Sequence, residues 1–177
     1  IAAGNLGAVR TAPGKLVAGL VARRDAGAGP ITLISCDNVP DNGAMLERVL
    51  RDMVSRAVPD LEQYLDDEVG FVTTMVDRIT PRATDAIWQA VQDEQGVDDP
   101  AAIGTEPFSE WVLAGDLKGQ VPDWASAGAV FVDDVVPHEL RKLWLLNGAH
   151  SLLAYAATIK GRQTVSDAIA DPIVRGW

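Results

Sequence analysis

One stretch of the chain carries the residue types that proton transfer to and from an alcohol needs: Pro137-His-Glu-Leu-Arg-Lys-Leu-Trp-Leu-Leu-Asn-Gly-Ala-His150. At about 100° per residue on a helix, with Lys142 taken as zero, Glu139 falls near 60°, His150 near 80° and Asn147 near 140°. The four share one face. Leu143 and Leu146 lie on the same arc, which places the polar groups among apolar neighbours rather than on a solvated stripe. Desolvation favours the neutral amine of a lysine, the form that can take a hydroxyl proton as a general base. The same spacing also fits a surface lysine, a histidine bonded to the backbone and an asparagine that marks a helix irregularity beside Gly148.

Two further polar clusters follow stretches that read as strands. They are Ser35-Cys-Asp-Asn38 and the Asp77-Arg78 pair within Thr74-Met-Val-Asp-Arg-Ile-Thr-Pro81. In open α/β sheets ligands bind outside the carboxyl ends of the strands, where both clusters would fall. Asn and Asp in such loops also serve as turn and capping residues.

The elements that must position these groups are legible from periodicity and punctuation. Helical spacing of Leu16, Val17, Leu20 and Val21 runs from Pro13 to Ala26, with Arg23 and Arg24 near its end and Gly27 beyond. Ile31 to Ser35 is a short β-rich run, and Asp41-Asn-Gly43 opens a second helix through Met45, Leu46, Val49, Leu50 and Met53. Val69 to Thr74 reads as a strand, Met75 to Pro81 as a loop and Ala83 to Gln95 as a helix; Glu110 to Leu113 and Ala129 to Val132 read as shorter strands. The alternation predicts an α/β fold with a parallel sheet flanked by helices. From Pro137 the pattern is helical to Lys160, stopped by Gly161, and again from Val165 to Ala170. The expected division is a sheet domain over residues 1–135 and the start of a helical domain over 136–177.

Composition narrows the function. Twenty-five acidic against 15 basic side chains give a formal charge of -10, which repels a phosphate backbone, so nucleic acid is excluded as a partner. No apolar run approaches the roughly 20 residues that span a bilayer, and a cytoplasmic protein is expected. Cys36 is the single cysteine, and with only His138 and His150 beside it a thiolate-rich or three-histidine metal site is not expected. Ile1 opens within an Ala/Gly-rich stretch and Trp177 closes just after a helical pattern, so a larger parent protein is expected.

Four segments, Ser35-Cys-Asp-Asn-Val-Pro-Asp-Asn-Gly43, Thr74-Met-Val-Asp-Arg-Ile-Thr-Pro81, Glu106-Pro-Phe-Ser-Glu-Trp111 and Lys142-Leu-Trp-Leu-Leu-Asn-Gly-Ala-His-Ser151, stand in an order and at a spacing that resembles the long-chain polyol-specific dehydrogenases, the mannitol dehydrogenase family. The similarity runs over essentially the whole chain. It implies the end of a Rossmann-type cofactor domain followed by the start of a mostly helical substrate domain, with no metal. It also implies NAD as cofactor, NADP remaining open, and a small polyol or ketose as substrate, mannitol and fructose first and the fructuronate or tagaturonate reductases of the same family second. By that resemblance Lys142 matches the general base. Asn38 and Asn147 match the donors that stabilise charge on the reacting oxygen, with Asn38 also at the cofactor. His150 and Asp77 match substrate-binding groups, and Glu139 fits a position tuning the lysine. The family's Gly-rich phosphate loop has no counterpart here, since Gly4-Asn-Leu-Gly7 lacks the preceding apolar strand. Glu110 stands where the family often has glutamine. The rival from another class is an interaction module that kept the fold without the chemistry; a lysine among leucines serves no purpose there.

Overall fold

The structure is a computed structural model that describes residues 9–177. Gly4-Asn-Leu-Gly7 lies outside the described residues. The chain divides into two compact units, one up to Asp133 and one from Asp134.

The first unit begins with α1 (Ala12–Asp25). Its first turn is closed by the Thr11 hydroxyl, which accepts from Gly14 N, and Pro13 stands where a missing N–H costs nothing. Arg23 at its other end does more than favour the helix terminus. Its guanidinium donates to the carbonyls of Ala28, Gly29 and Pro30, clamping the turn that leads into β1 (Ile31–Ile34). Then come α2 (Asn42–Ala57), a 3-10 turn at Pro59–Leu61 and α3 (Glu62–Glu68), followed by β2 (Val69–Asp77), α4 (Asp85–Gln95), β3 (Glu110–Gly115), a 3-10 turn at Ala125–Ala127 and β4 (Val130–Phe131). Val17, Leu20, Leu33, Leu50, Val54, Leu61, Leu65 and Val69 form the buried core where α1, α2 and α3 cover the sheet. Each such side chain taken fully out of water stabilises the fold by about 1.5–3 kcal/mol.

The sheet order is β1-β2-β3-β4. It is mixed, which corrects the expectation of a parallel sheet: β1 and β2 are parallel, β2 and β3 antiparallel, β3 and β4 parallel. Alternation of strands and helices suggests parallel pairing, but here the connection through α4 does not carry the chain back to the starting end of the sheet. It returns as β3 beside the far end of β2. That pairing also explains a second difference, for Met75, Val76 and Asp77, expected in a loop, form ladder pairs with Val112, Trp111 and Glu110.

The second unit is helical without a break over residues 136–159, as α5 (Val136–Arg141), a π-helical stretch (Lys142–Asn147), α6 (Gly148–Leu152) and a second π-helical stretch (Leu153–Ala157). Gly161 ends it in the left-handed conformation at φ 72°, with Gly161 N donating to Thr158 O and Arg162 N to Ala157 O. Two short helices, α7 (Val165–Ala170) and α8 (Pro172–Arg175), fold back so that Ala168 and Val174 pack on Ala157 and Leu153.

A buried carboxylate ties this end together. Asp171 Oδ2 accepts from Arg162 Nη2 at 3.0 Å and lies 3.5 Å from Lys160 Nζ, while Oδ1 caps α8 by accepting from Ile173 N at 2.9 Å. The Arg162 hydrogen bonds first, then the backbone N–H of Ile173, hold the Asp171 carboxyl down at about 2. Because the folded value lies below the unfolded one, the stabilisation is present above about pH 4 and is lost as the pH falls toward 2. Asp171→Asn should therefore lower the denaturation midpoint of this unit at pH 7, and the gap to the parent should close between pH 4 and 2. A gap independent of pH would show that the carboxylate charge contributes nothing.

Candidate active site

The polar groups of the first unit gather where β1 stops and β2 runs on. The last parallel pair is Ile34 with Val72, yet β2 continues to Asp77, held on its other side by β3 as far as the Asp77–Glu110 pair. Five residues, about 17 Å at strand rise, thus project beyond β1. The Ser35–Asn38 loop leaves β1 alongside this projection, and the two are joined through buried polar atoms. Thr74 Oγ1 donates to Ser35 O at 2.7 Å. Asn42, 2% exposed at the start of α2, accepts from Thr74 N at 2.9 Å through Oδ1 and donates from Nδ2 to Thr74 O and Asp37 O, each at 2.8 Å.

Close packing makes this possible. A side chain at Gly43 would place its Cβ 2.5 Å from Thr73 N and Val72 C, so only glycine lets the first turn of α2 reach β2. Asp41, just before, takes the left-handed conformation at φ 52°, a position that Asp and Asn tolerate better than most residues. Asn38 then stands exposed on its loop, and Asp77 half-buried at the strand end. The residues after Asp77 are held as well: Ile79 N donates to Glu106 Oε1 at 2.7 Å, and Thr105 Oγ1 donates to Ile79 O at 2.9 Å.

On the second unit Lys142 and Asn147 are the first and last residues of the first π stretch. In an α-helix five residues leave a gap of about 140° between them. Hydrogen bonds that run i→i+5, as from Gly148 N to Leu143 O, put more residues into each turn and narrow that gap, bringing the amide round toward the amine. Side-chain donors bond back to carbonyls around both stretches: Ser151 Oγ to Asn147 O, Thr158 Oγ1 to Ala154 O, and His150 Nδ1 to Leu146 O at 2.9 Å. A carbonyl can only accept, so His150 carries its proton on Nδ1 and, when neutral, offers Nε2 as an acceptor. Glu139 stands one turn before Lys142 in α5, half-buried.

The structure corrects one part of the expected setting. Lys142 is only half-buried and Asn147 is exposed, while Leu143, at 52%, and Trp144 and Leu145, each at 69%, face outward. The helix itself does not build an apolar enclosure for the lysine, because Leu143, Trp144 and Leu145 beside it stay largely exposed. Sequence reasoning offered a helix irregularity at Asn147 but not the widened winding, and it missed Asn42 and Thr74; polar His150, Ser151 and Thr158 inside an apolar helix were the signal for the first, and the Asn-Gly pair against a strand for the second.

The described residues do not fit the pyrophosphate of a dinucleotide. The position that glycine opens at the start of α2 is filled by the backbone of β2, and α1 starts from a threonine cap and a proline. Among the described residues no three His, Cys, Asp or Glu side chains come together to hold a metal ion, and no helix is long and apolar enough to cross a membrane.

A mixed sheet flanked by helices, with polar loops at the carboxyl ends of β1 and β2, defines the first unit as a Rossmann-like α/β domain, here followed by a helical unit bearing a lysine in a π stretch. The chain belongs to the mannitol dehydrogenase family: residues 3–126 match the mannitol dehydrogenase Rossmann domain and residues 134–177 the mannitol dehydrogenase C-terminal domain. It is 41% identical to D-mannonate oxidoreductase of Escherichia coli (strain K12) over 95% of its own length and 35% of that protein's. It is 39% identical to D-arabinitol 4-dehydrogenase of Ralstonia nicotianae over 98% of its length and 38% of that protein's. Among solved structures, the mannitol 2-dehydrogenase of Pseudomonas fluorescens in ternary complex with NAD and D-mannitol superimposes with a TM-score of 0.79 at 36% identity, over 97% of this chain and 35% of that one. The chain therefore spans about a third of the length of the relatives it matches.

Proposed function

We propose that this chain is the end of the cofactor domain and the start of the substrate domain of an NAD-dependent, zinc-independent oxidoreductase that interconverts a secondary alcohol of a polyol with its ketone. The single observation that carries this is the lysine and asparagine at the two ends of a π-helical stretch, in a chain of this family. Short π segments inside α-helices are often found at functional sites, where the added residue re-aims side chains. Lys142 takes the hydroxyl proton in oxidation and returns it in reduction. Asn147 and Asn38 donate to the oxygen on which charge develops. His150 offers Nε2 and Asp77 a carboxylate to the other hydroxyls, and Glu139 adjusts the lysine from one turn away. Bound NAD would supply the hydride acceptor, and Asn38 would lie at its nicotinamide end; the residues that cradle the rest of it are sought outside the described ones.

Mannitol and fructose are the first substrate pair. A sugar acid is the second reading, a fructuronate or tagaturonate reductase. It is favoured by the 41% identity to D-mannonate oxidoreductase. One experiment tests both: the full-length protein is assayed with mannitol, arabinitol and mannonate, with NAD and NADP, before and after exhaustive zinc chelation. Activity on a polyol or its acid that survives chelation is expected, whereas activity lost and then restored by zinc would overturn the reading. In parallel, calorimetry on the 177-residue chain alone should find no saturable NAD binding.

A further inference from the structure

We infer that Asn42 is a positioning residue for the oxyanion donor Asn38, an inference that rests on the proposed function. Its carboxamide is buried and uses both donors and its acceptor, and all three bonds go to main-chain atoms of two segments: Thr74 in β2 and Asp37, the residue before Asn38. Asn42 thus completes, by side chain, the pairing that β1 abandons at Ile34, and Thr74 Oγ1 adds a fourth bond to Ser35 O. Asn38 is the next residue along this exposed loop, so the bond that pins Asp37 O also sets where the Asn38 main chain begins. Asp77 lies three residues along the strand that holds the other end of the clasp. One buried amide therefore fixes the spacing between a group meant for the reacting oxygen and one meant for the substrate's hydroxyls. A main-chain displacement near 1 Å at such a donor costs on the order of 10²-fold in rate.

The test uses the full-length enzyme with Asn42→Ala, Asn38→Ala and the double variant. Asn42→Ala should lower kcat for alcohol oxidation on the order of 10- to 10²-fold with little change in cofactor affinity. The double variant should be no slower than Asn38→Ala alone, because a residue that acts through another adds nothing once the other is gone. Peptide-resolved hydrogen exchange should rise at residues 36–38 and at Thr74 while the α1 and α2 core amides stay protected. If Asn42→Ala fails to fold, Thr74→Val, which removes only the bond to Ser35 O, should move the same readouts in the same direction by a smaller amount. Additive losses, exchange that rises throughout the unit, or local exchange with unchanged kcat would each overturn the inference. A parent enzyme inactive on every polyol and sugar acid would instead sink the proposed function, and hydrogen exchange would still judge the clasp.

Discussion

Replacing Lys142 by Ala in the full-length enzyme is expected to lower turnover for alcohol oxidation by a factor on the order of 10² to 10⁴, the usual worth of a positioned general base, with cofactor affinity nearly unchanged. The loss belongs to the proton-transfer step. Oxidation by the parent enzyme should rise with pH through one ionisation, since only the unprotonated amine accepts a proton, and reduction should fall through the same one. In the variant that ionisation should disappear from the kcat profile, and small exogenous amines should restore part of the rate. Steady-state profiles from pH 5 to 11 decide the matter. A variant that keeps the ionisation and most of the rate would move the proton acceptor elsewhere, with His150 and its acceptor Nε2 the first alternative.

The second large effect is expected at Asn147. An amide that donates to a developing alkoxide stabilises charge without titrating, and loss of one such donor costs about 10²- to 10³-fold in kcat. Asn147→Ala should slow oxidation and reduction alike and leave the ionisation in place. This separates it from Lys142→Ala. The protein should melt as the parent does, which separates loss of a donor from loss of the fold. A loss confined to KM would assign Asn147 to substrate binding, and a lost ionisation would tie it to the lysine rather than to the oxygen.

How far the sequence reveals the fold depends on the range of the interaction that forms each element. α1, α2 and α4 follow from local periodicity and caps, and their observed bounds lie within a few residues of the expected ones, although α2 runs four residues past Met53 to Ala57. α3 is seven residues with four acidic side chains and a single buried leucine, Leu65, too short and too polar to show a helical stripe. The last residues of β2 and the antiparallel run of β3 depend on a partner more than thirty residues away, and Met75-Val-Asp77 carries no local mark of it. Asn38, Asp77, Lys142 and Asn147 could be picked out because their residue types are chemically suggestive. Asn42 could not, because a buried amide bonded to the main chain looks in sequence like any helix-opening asparagine.

The two π stretches bear on any attempt to transplant or align this helix. Each slips the helical phase by a fraction of a turn, and the slips accumulate, so Thr158 and Ile159 point where counting at 3.6 residues per turn from Val136 would not put them. A comparison that keeps residue number but assumes uniform winding would match side chains on opposite sides of the rod. A design that borrows Lys142 and Asn147 must therefore carry the widened segment with them, for on a regular helix of the same sequence the two groups would stand about 140° apart.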